Sequence, residues 1–90
     1  MEAQHLHARL RQLHKELQQI ESVDTDERRA LQQLMADIHE ILEKEEGHPI
    51  QKYSQLSERL RDSVAQLEAS HPTVTMLMGQ VIDTLANMGI

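Results

Sequence analysis

The chain has 90 residues, no cysteine and one aromatic residue, Tyr53, and its formal net charge is −6. This length predicts a single domain over residues 1–90 with a thin core, and the missing cysteines exclude a disulfide framework and a thiolate nucleophile. The acidic balance argues against nucleic acid as a partner, and no run approaches the roughly 20 apolar residues of a membrane span, so we expect a cytoplasmic protein.

Leucine recurs through the first segment at alternating steps of four and three residues. The positions are Leu6, Leu10, Leu13 and Leu17, and Ile20 continues the series. This spacing places one apolar stripe along one side of a helix, which is stable in water only when another helix covers it. The pattern predicts a first helix from about Ala3 to Glu21.

A second helix is predicted to begin near Asp24. This residue suits the N-cap position, and Glu27 follows at the spacing of a capping box. Gly47 can adopt the left-handed conformation that ends helices, and Pro49 prevents continuation. The apolar stripe consists of Leu31, Leu34, Ile38, Ile41 and Leu42. These signals predict a first helical hairpin over residues 3–46 and a linker over residues 47–53.

The second hairpin is predicted over residues 54–88. Ser54 suits the N-cap of the third helix, and Pro72 fits the first turn of a fourth helix but not a helix interior. The third stripe consists of Leu56, Leu60, Val64 and Leu67. Ser70, His71 and Pro72 form a structural junction, where we expect the His71 side chain to cap free backbone groups. The predicted fold is all-α: an antiparallel four-helix bundle, or two helical hairpins, either of them open to completion by dimerisation.

The fourth helix differs from the others in charge. Between Thr73 and Ile90 the only charged side chain is that of Asp83. Two interpretations remain open: a second copy or another protein covers this helix, or it is the central core helix with a neutral polar surface. On the first interpretation, the candidate interface consists of Thr75, Met76, Met78, Gly79, Ile82, Asp83 and Ala86.

Motifs that could bind a metal ion are weak. The spacing Glu-x-x-His occurs at Glu2/His5, Glu45/His48 and Glu68/His71. All three pairs fall at predicted helix ends, whereas di-iron bundles place such ligands in the middle of the bundle, facing inward. The segment from His39 to Glu43 lacks the second histidine of a zinc-protease helix, so we expect an ordinary exposed pair there. We expect His5, His7 and His14 to be polar surface residues.

Nothing in the chain resembles a nucleophile elbow or a glycine-rich loop. The sequence therefore predicts no enzymatic activity, no cofactor and no metal site. It favours a module that associates with itself, as a homo-oligomer and most simply a dimer, or with another protein, through the fourth helix. The alternative is a small ligand-binding or metal-binding helical bundle.

Two segments of the second half carry a family resemblance: Val64 to Thr73, reading VAQLEASHPT, and Leu85 to Ile90, reading LANMGI. A weaker likeness extends to the first hairpin, in Leu10-x-x-Leu13-x-x-Glu16-Leu17 and Asp26-x-x-x-Ala30-Leu31-x-x-Leu34-Met35. Over nearly its whole length the chain resembles a family of short bacterial proteins classed as domain of unknown function 4404. The resemblance implies a bacterial origin and a helical fold. Because that family has no assigned activity, it implies no site residues.

Overall fold

The computed structural model describes residues 2–21, 24–44 and 47–90, and it describes side chains from Gln4 onward. Within these ranges the chain forms four helices and no strand. The helices are α1 (Glu2–Gln18), α2 (Thr25–Leu42), α3 (Ile50–Leu67) and α4 (Pro72–Asn87). The all-α prediction is therefore confirmed.

Each helix packs against two others: α1 and α3 both contact α2 and α4. The connections between consecutive helices are too short to return the chain to the starting end, so neighbouring helices run antiparallel. The described residues extend over 35 × 21 × 20 Å. Because α4 packs back against α1, the two hairpins close into one four-helix bundle.

The core is built from the predicted stripes of the first three helices and from the inner side of α4, and its buried members are aliphatic side chains and one methionine. Its buried members are Leu6, Leu10, Leu13, Leu17, Leu31, Leu34, Ile38, Ile41, Leu56, Leu60, Leu67, Val74, Leu77, Met78, Val81 and Leu85. Tyr53 packs against this cluster from its edge and is only partly buried. Burial of aliphatic side chains from all four helices thus supplies the main apolar contribution to folding.

Local capping chemistry sets the start of α2. Asp24 has extended backbone angles (φ −75°, ψ 176°), and its carboxylate accepts a hydrogen bond of 2.7 Å from the Glu27 N–H. The predicted N-cap is confirmed. Gly47 has the left-handed conformation (φ +84°), but α2 ends earlier, at Leu42 with Glu43 as its C-cap residue.

The predicted linker over residues 47–53 is wrong in its second half, because α3 begins at Ile50. Pro49 is extended, and the Lys52 N–H donates to the Pro49 carbonyl at 3.0 Å, so the helix starts directly after the proline. Ser54 lies exposed inside the helix instead of capping it. The added turn is stabilised by tertiary contacts, since it carries Tyr53 against the core and places Lys52 in an ion pair with Glu40 of α2.

Candidate functional site

The inner side of α4 belongs to the core of the bundle. Met78 is 0% exposed and Thr75 is 9% exposed, so neither side chain is available at the surface of the single chain. Their assignment to the candidate interface is therefore wrong for the fold of one chain. The physical reason is that α1 and α3 both pack against α4 and together bury the side chains on its inner side. The Thr75 hydroxyl is satisfied internally, since it donates to the Pro72 carbonyl at 2.9 Å.

The other five candidate residues lie on the outer side of α4, and we call them the α4 outer face. They are Met76, Gly79, Ile82, Asp83 and Ala86. Met76 is 58% exposed, and a Cβ atom built on Gly79 would meet no atom within 4 Å. Ile82 is half-buried against the core. The α4 outer face is therefore open, weakly polar and lined at its centre by a residue without a side chain.

A hydrogen bond joins α1 to the edge of this surface. Arg9 of α1 donates from Nη1 to the Gln80 Oε1 atom at 2.8 Å.

No helix in the described part of the chain is long and apolar enough to cross a lipid bilayer.

The junction of Ser70, His71 and Pro72 lies between α3 and α4, and α4 begins at Pro72. The His71 backbone joins the two helices, because its N–H donates to the Leu67 carbonyl (2.8 Å) and its carbonyl accepts from the Thr75 N–H (3.1 Å). The expectation of a capping side chain is wrong: the imidazole makes no capping hydrogen bond. Its Nε2 atom is buried and has no partner among the described residues.

The side chains of two histidines that no sequence pattern connects meet at the C-terminal end of α2. His7 of α1 is 3% exposed, and its Nε2 lies 3.3 Å from the carbonyl oxygen of Ile41 and 3.3 Å from that of Lys44. The Nε2 of His48 lies 3.0 Å and 2.6 Å from the same two oxygens. We call these two imidazoles and two carbonyl oxygens the two-histidine cluster.

This arrangement satisfies the end of a helix. The last carbonyls of a helix have no intrahelical donor. Here the His7 Nε2–H group donates to the Ile41 carbonyl of α2, and that of His48 donates to the Lys44 carbonyl just beyond the helix. The C-terminal end of a helix also carries partial negative charge, which favours imidazole over an acidic side chain. His48 in turn packs against Tyr53, with ring centroids 5.8 Å apart and planes at 87°. Burial raises the pKa of the Tyr53 phenol.

The expectation of a surface role is thus wrong for His7. A weak signal was present, because His7 directly follows Leu6 and lies one turn before Leu10, at the flank of the apolar stripe. No local pattern connects it to His48, which approaches the same carbonyls from the connection between α2 and α3.

A second polar group links α2 to α3. Asp37 forms an ion pair with Arg59, and the Arg59 Nη1 donates to the Gln33 Oε1 atom at 2.8 Å. Burial raises the pKa of the Asp37 carboxyl, nearby Glu40 adds to this effect, and the opposing attraction of Arg59 and Lys52 does not cancel it. This group aligns the two helices along one edge of the bundle.

The expected pair of His39 and Glu43 is confirmed, with Nε2 and Oε1 3.0 Å apart at the surface. Of the Glu-x-x-His pairs, Glu45 and the side chain of Glu2 lie outside the described residues. Among the residues that the structure does describe, no group of three or more His, Asp or Glu side chains is arranged to hold a metal ion. A surface pocket of about 370 Å³ lies beside the two-histidine cluster. Its lining residues are Glu40, Glu43, Lys44, Gly47, His48, Pro49 and Lys52.

Comparison with known proteins identifies a family but no activity. No curated protein matches the chain, and no solved structure matches it. A family model described as a domain of unknown function (DUF4404) matches residues 6–90, which confirms the resemblance seen in the sequence. The chain therefore belongs to the family of the domain of unknown function DUF4404.

Proposed function

We propose that this chain is a non-enzymatic association module that pairs with a second copy of itself through the α4 outer face. One observation carries the proposal: the Met76 side chain is largely exposed on this surface, and Asp83 is the only one of its five residues that carries a charge. The other three helices each expose several charged side chains. Exposed charges are Arg9, Arg11 and Lys15 on α1, Asp26, Arg28 and Arg29 on α2, and Glu58, Arg61 and Asp62 on α3.

The shape of the α4 outer face supports close helix pairing. Gly79 and Ala86 are seven residues apart, so they lie on the same side of α4 two turns from each other. Small residues at this spacing let two helix backbones approach, and the flexible Met76 side chain can fill the gaps that remain. A two-fold axis through this surface would bring the same residues of both copies together.

The size of the contact also matters. A stable interface buries more than about 1,000 Å² in total, which requires the full length of α4 and the adjoining edge of α1 or α3. A charge at either the centre or the C-terminal end of the α4 outer face should therefore oppose pairing, because each copy would bury it without a partner.

The test is the mass in solution of four proteins, measured by light scattering over a range of concentrations. The variants are Gly79→Glu, Ala86→Glu and the matched control Ala36→Glu, which adds the same charge to an exposed alanine of α2, diagonally opposite α4. We expect a dimer for the unmodified chain and for the control, and for the two α4 variants we expect association weakened by roughly 100-fold or more, so that they are mostly monomeric.

Two results would contradict the proposal. One is a monomeric unmodified chain at tens of micromolar or more, on the scale where weak homodimers form. The other is a dimer that tolerates both α4 variants as well as it tolerates Ala36→Glu, because the contact would then lie elsewhere.

A further inference from the structure

We propose that the two-histidine cluster binds a divalent late transition-metal ion of the copper, nickel or zinc class. The proposal concerns the end of the bundle formed by α1, the last turn of α2 and the connection to α3, and it does not depend on pairing through α4. The proposed site arises because the fold turns the Nε2 atoms of His7 and His48 toward the same two carbonyl oxygens.

The four atoms form a ring in which nitrogen and oxygen alternate. Its edges are 3.3 Å, 3.3 Å, 3.0 Å and 2.6 Å long. Ligands that are adjacent around an ion with bonds of about 2.0–2.2 Å lie about 2.8–3.6 Å apart. Three of the four edges fall in this range, and a small outward shift of the His48 ring would bring the fourth, between His48 and the Lys44 carbonyl, into it.

The chemistry of these atoms selects the class of ion. Imidazole nitrogen suits copper, nickel and zinc, whereas carbonyl oxygen suits harder ions such as magnesium and calcium, so the two histidines are the ligands that favour this class. Among divalent ions of this row, Cu²⁺ binds most tightly to a given set of ligands. Each imidazole would carry its proton on Nδ1 instead of Nε2, which frees the Nε2 lone pair for the ion.

The cluster is open to an ion on one side. His7 is buried, but the contact between His48 and the Lys44 carbonyl is at the surface and adjoins the 370 Å³ pocket. Two carboxylates line this pocket, those of Glu40 and Glu43, although they pair with Lys52 and His39. The partial negative charge at the end of α2 and the net charge of −6 both favour the approach of a cation.

A bound ion would join parts of the chain that are distant in sequence. His7 belongs to α1, whereas His48 follows α2. Because the unfolded chain does not hold these atoms together, the ion would bind the folded state and stabilise it.

The chain contains its own probe for the test. Tyr53 is its only aromatic fluorophore, since there is no tryptophan, and its ring touches that of His48. Paramagnetic Cu²⁺ bound at the cluster should quench the tyrosine emission. We expect titration of the full chain with Cu²⁺ to reach saturation at one equivalent, with a dissociation constant in the micromolar range.

The informative variants are His7→Gln and His48→Gln, because glutamine can still donate to the carbonyls but offers no imidazole nitrogen. Each should weaken Cu²⁺ binding by roughly tenfold or more, since even the loss of an outer-shell partner costs this much. The matched control is His39→Gln, which removes an exposed histidine of α2 and should leave the affinity unchanged. Ala86→Glu should also bind Cu²⁺ normally, which keeps this proposal distinct from pairing through α4.

A loss of helical signal in His7→Gln would make that variant uninformative, so the half-exposed His48 provides the second test. Electron paramagnetic resonance of the copper-loaded chain should show coupling to two imidazole nitrogens, and to one in His48→Gln. The proposal is overturned if quenching needs several equivalents of Cu²⁺, or if His48→Gln binds as tightly as the unmodified chain. Either result would assign binding to the exposed histidines.

Discussion

Asp37 is an acidic residue whose partial burial in this bundle disfavours its charged form. It lies between α2 and α3 beside Arg59, yet burial raises the pKa of its carboxyl above the usual 3.8 despite that partner. The carboxylate therefore loses more by desolvation than it gains from its neighbours. We interpret the pair as fixing the alignment of the two helices, with little gain in stability.

The substitution Asp37→Asn should reveal this balance through pH. Because the folded chain holds the Asp37 proton more tightly than the unfolded chain, the stability contributed by this group is present at low pH and is lost as pH rises from about 3.8 through the higher folded-state value. We expect the difference in unfolding free energy between the unmodified chain and Asp37→Asn to fall over this window. Urea unfolding at a series of pH values measures it.

The control for this experiment is the same pair of chains with Arg59→Met. Arg59 opposes the rise in the pKa of Asp37, so its removal should make the total fall with pH larger and extend it to higher pH. If the advantage of the unmodified chain instead grows as pH rises, attraction to Arg59 outweighs burial and our interpretation of the pair is wrong.

Of the helices α2, α3 and α4, α2 begins with a side chain that caps its backbone, and the other two do not. Asp24 accepts a hydrogen bond from the Glu27 N–H, whereas Pro49 and His71 at the starts of α3 and α4 make no such bond. The start of α3 relies on the extended backbone of Pro49, and that of α4 on the proline ring at its first position. Helix starts in this chain are thus stabilised in two different ways.

We expect Asp24→Ala to lower the free energy of unfolding by about 1 kcal/mol, because the first turn of α2 loses its hydrogen-bond acceptor. Asp24→Asn keeps an acceptor oxygen and should cost only a few tenths of a kcal/mol. Urea unfolding followed by circular dichroism compares the two. Equal losses for alanine and asparagine would mean that the charge of Asp24, rather than its hydrogen bond, stabilises the helix.

Both hairpins contribute side chains to the single core of the bundle. The apolar stripe of α1 faces both α2 and α4, and that of α3 faces the same two helices. Separating the two hairpins would therefore expose the apolar surface that α1 and α4 bury against each other and that α2 and α3 bury against each other. Most of the stability of a helix within a protein comes from tertiary packing of its amphipathic face, so we expect α1 and α2 to depend on the contacts with the second hairpin.

We predict that fragments 1–46 and 47–90, prepared separately, lose most of their helical circular dichroism signal. Mixing them in equal amounts should restore much of it, because the complementary stripes can then cover each other. A first hairpin that stays helical alone and melts cooperatively would show that the two hairpins are independent units.

Four features could be predicted from the order of residues alone: the number of helices, the buried leucines, the cap at Asp24 and the start of α4 at Pro72. These features are local: apolar spacing sets which side of a helix is buried, and proline and aspartate act on backbone groups within one turn. The family, too, was readable from segments of consecutive residues.

The places where those helices meet depend on contacts made in the folded chain. The tertiary structure begins α3 at Ile50, because Lys52 and Tyr53 find partners across the bundle, and it turns Thr75 and Met78 inward, because two neighbouring helices cover α4. It also brings His7 and His48 to the same carbonyls. Such contacts join residues far apart in the chain, and no spacing within one helix specifies which side chain from another helix will meet it.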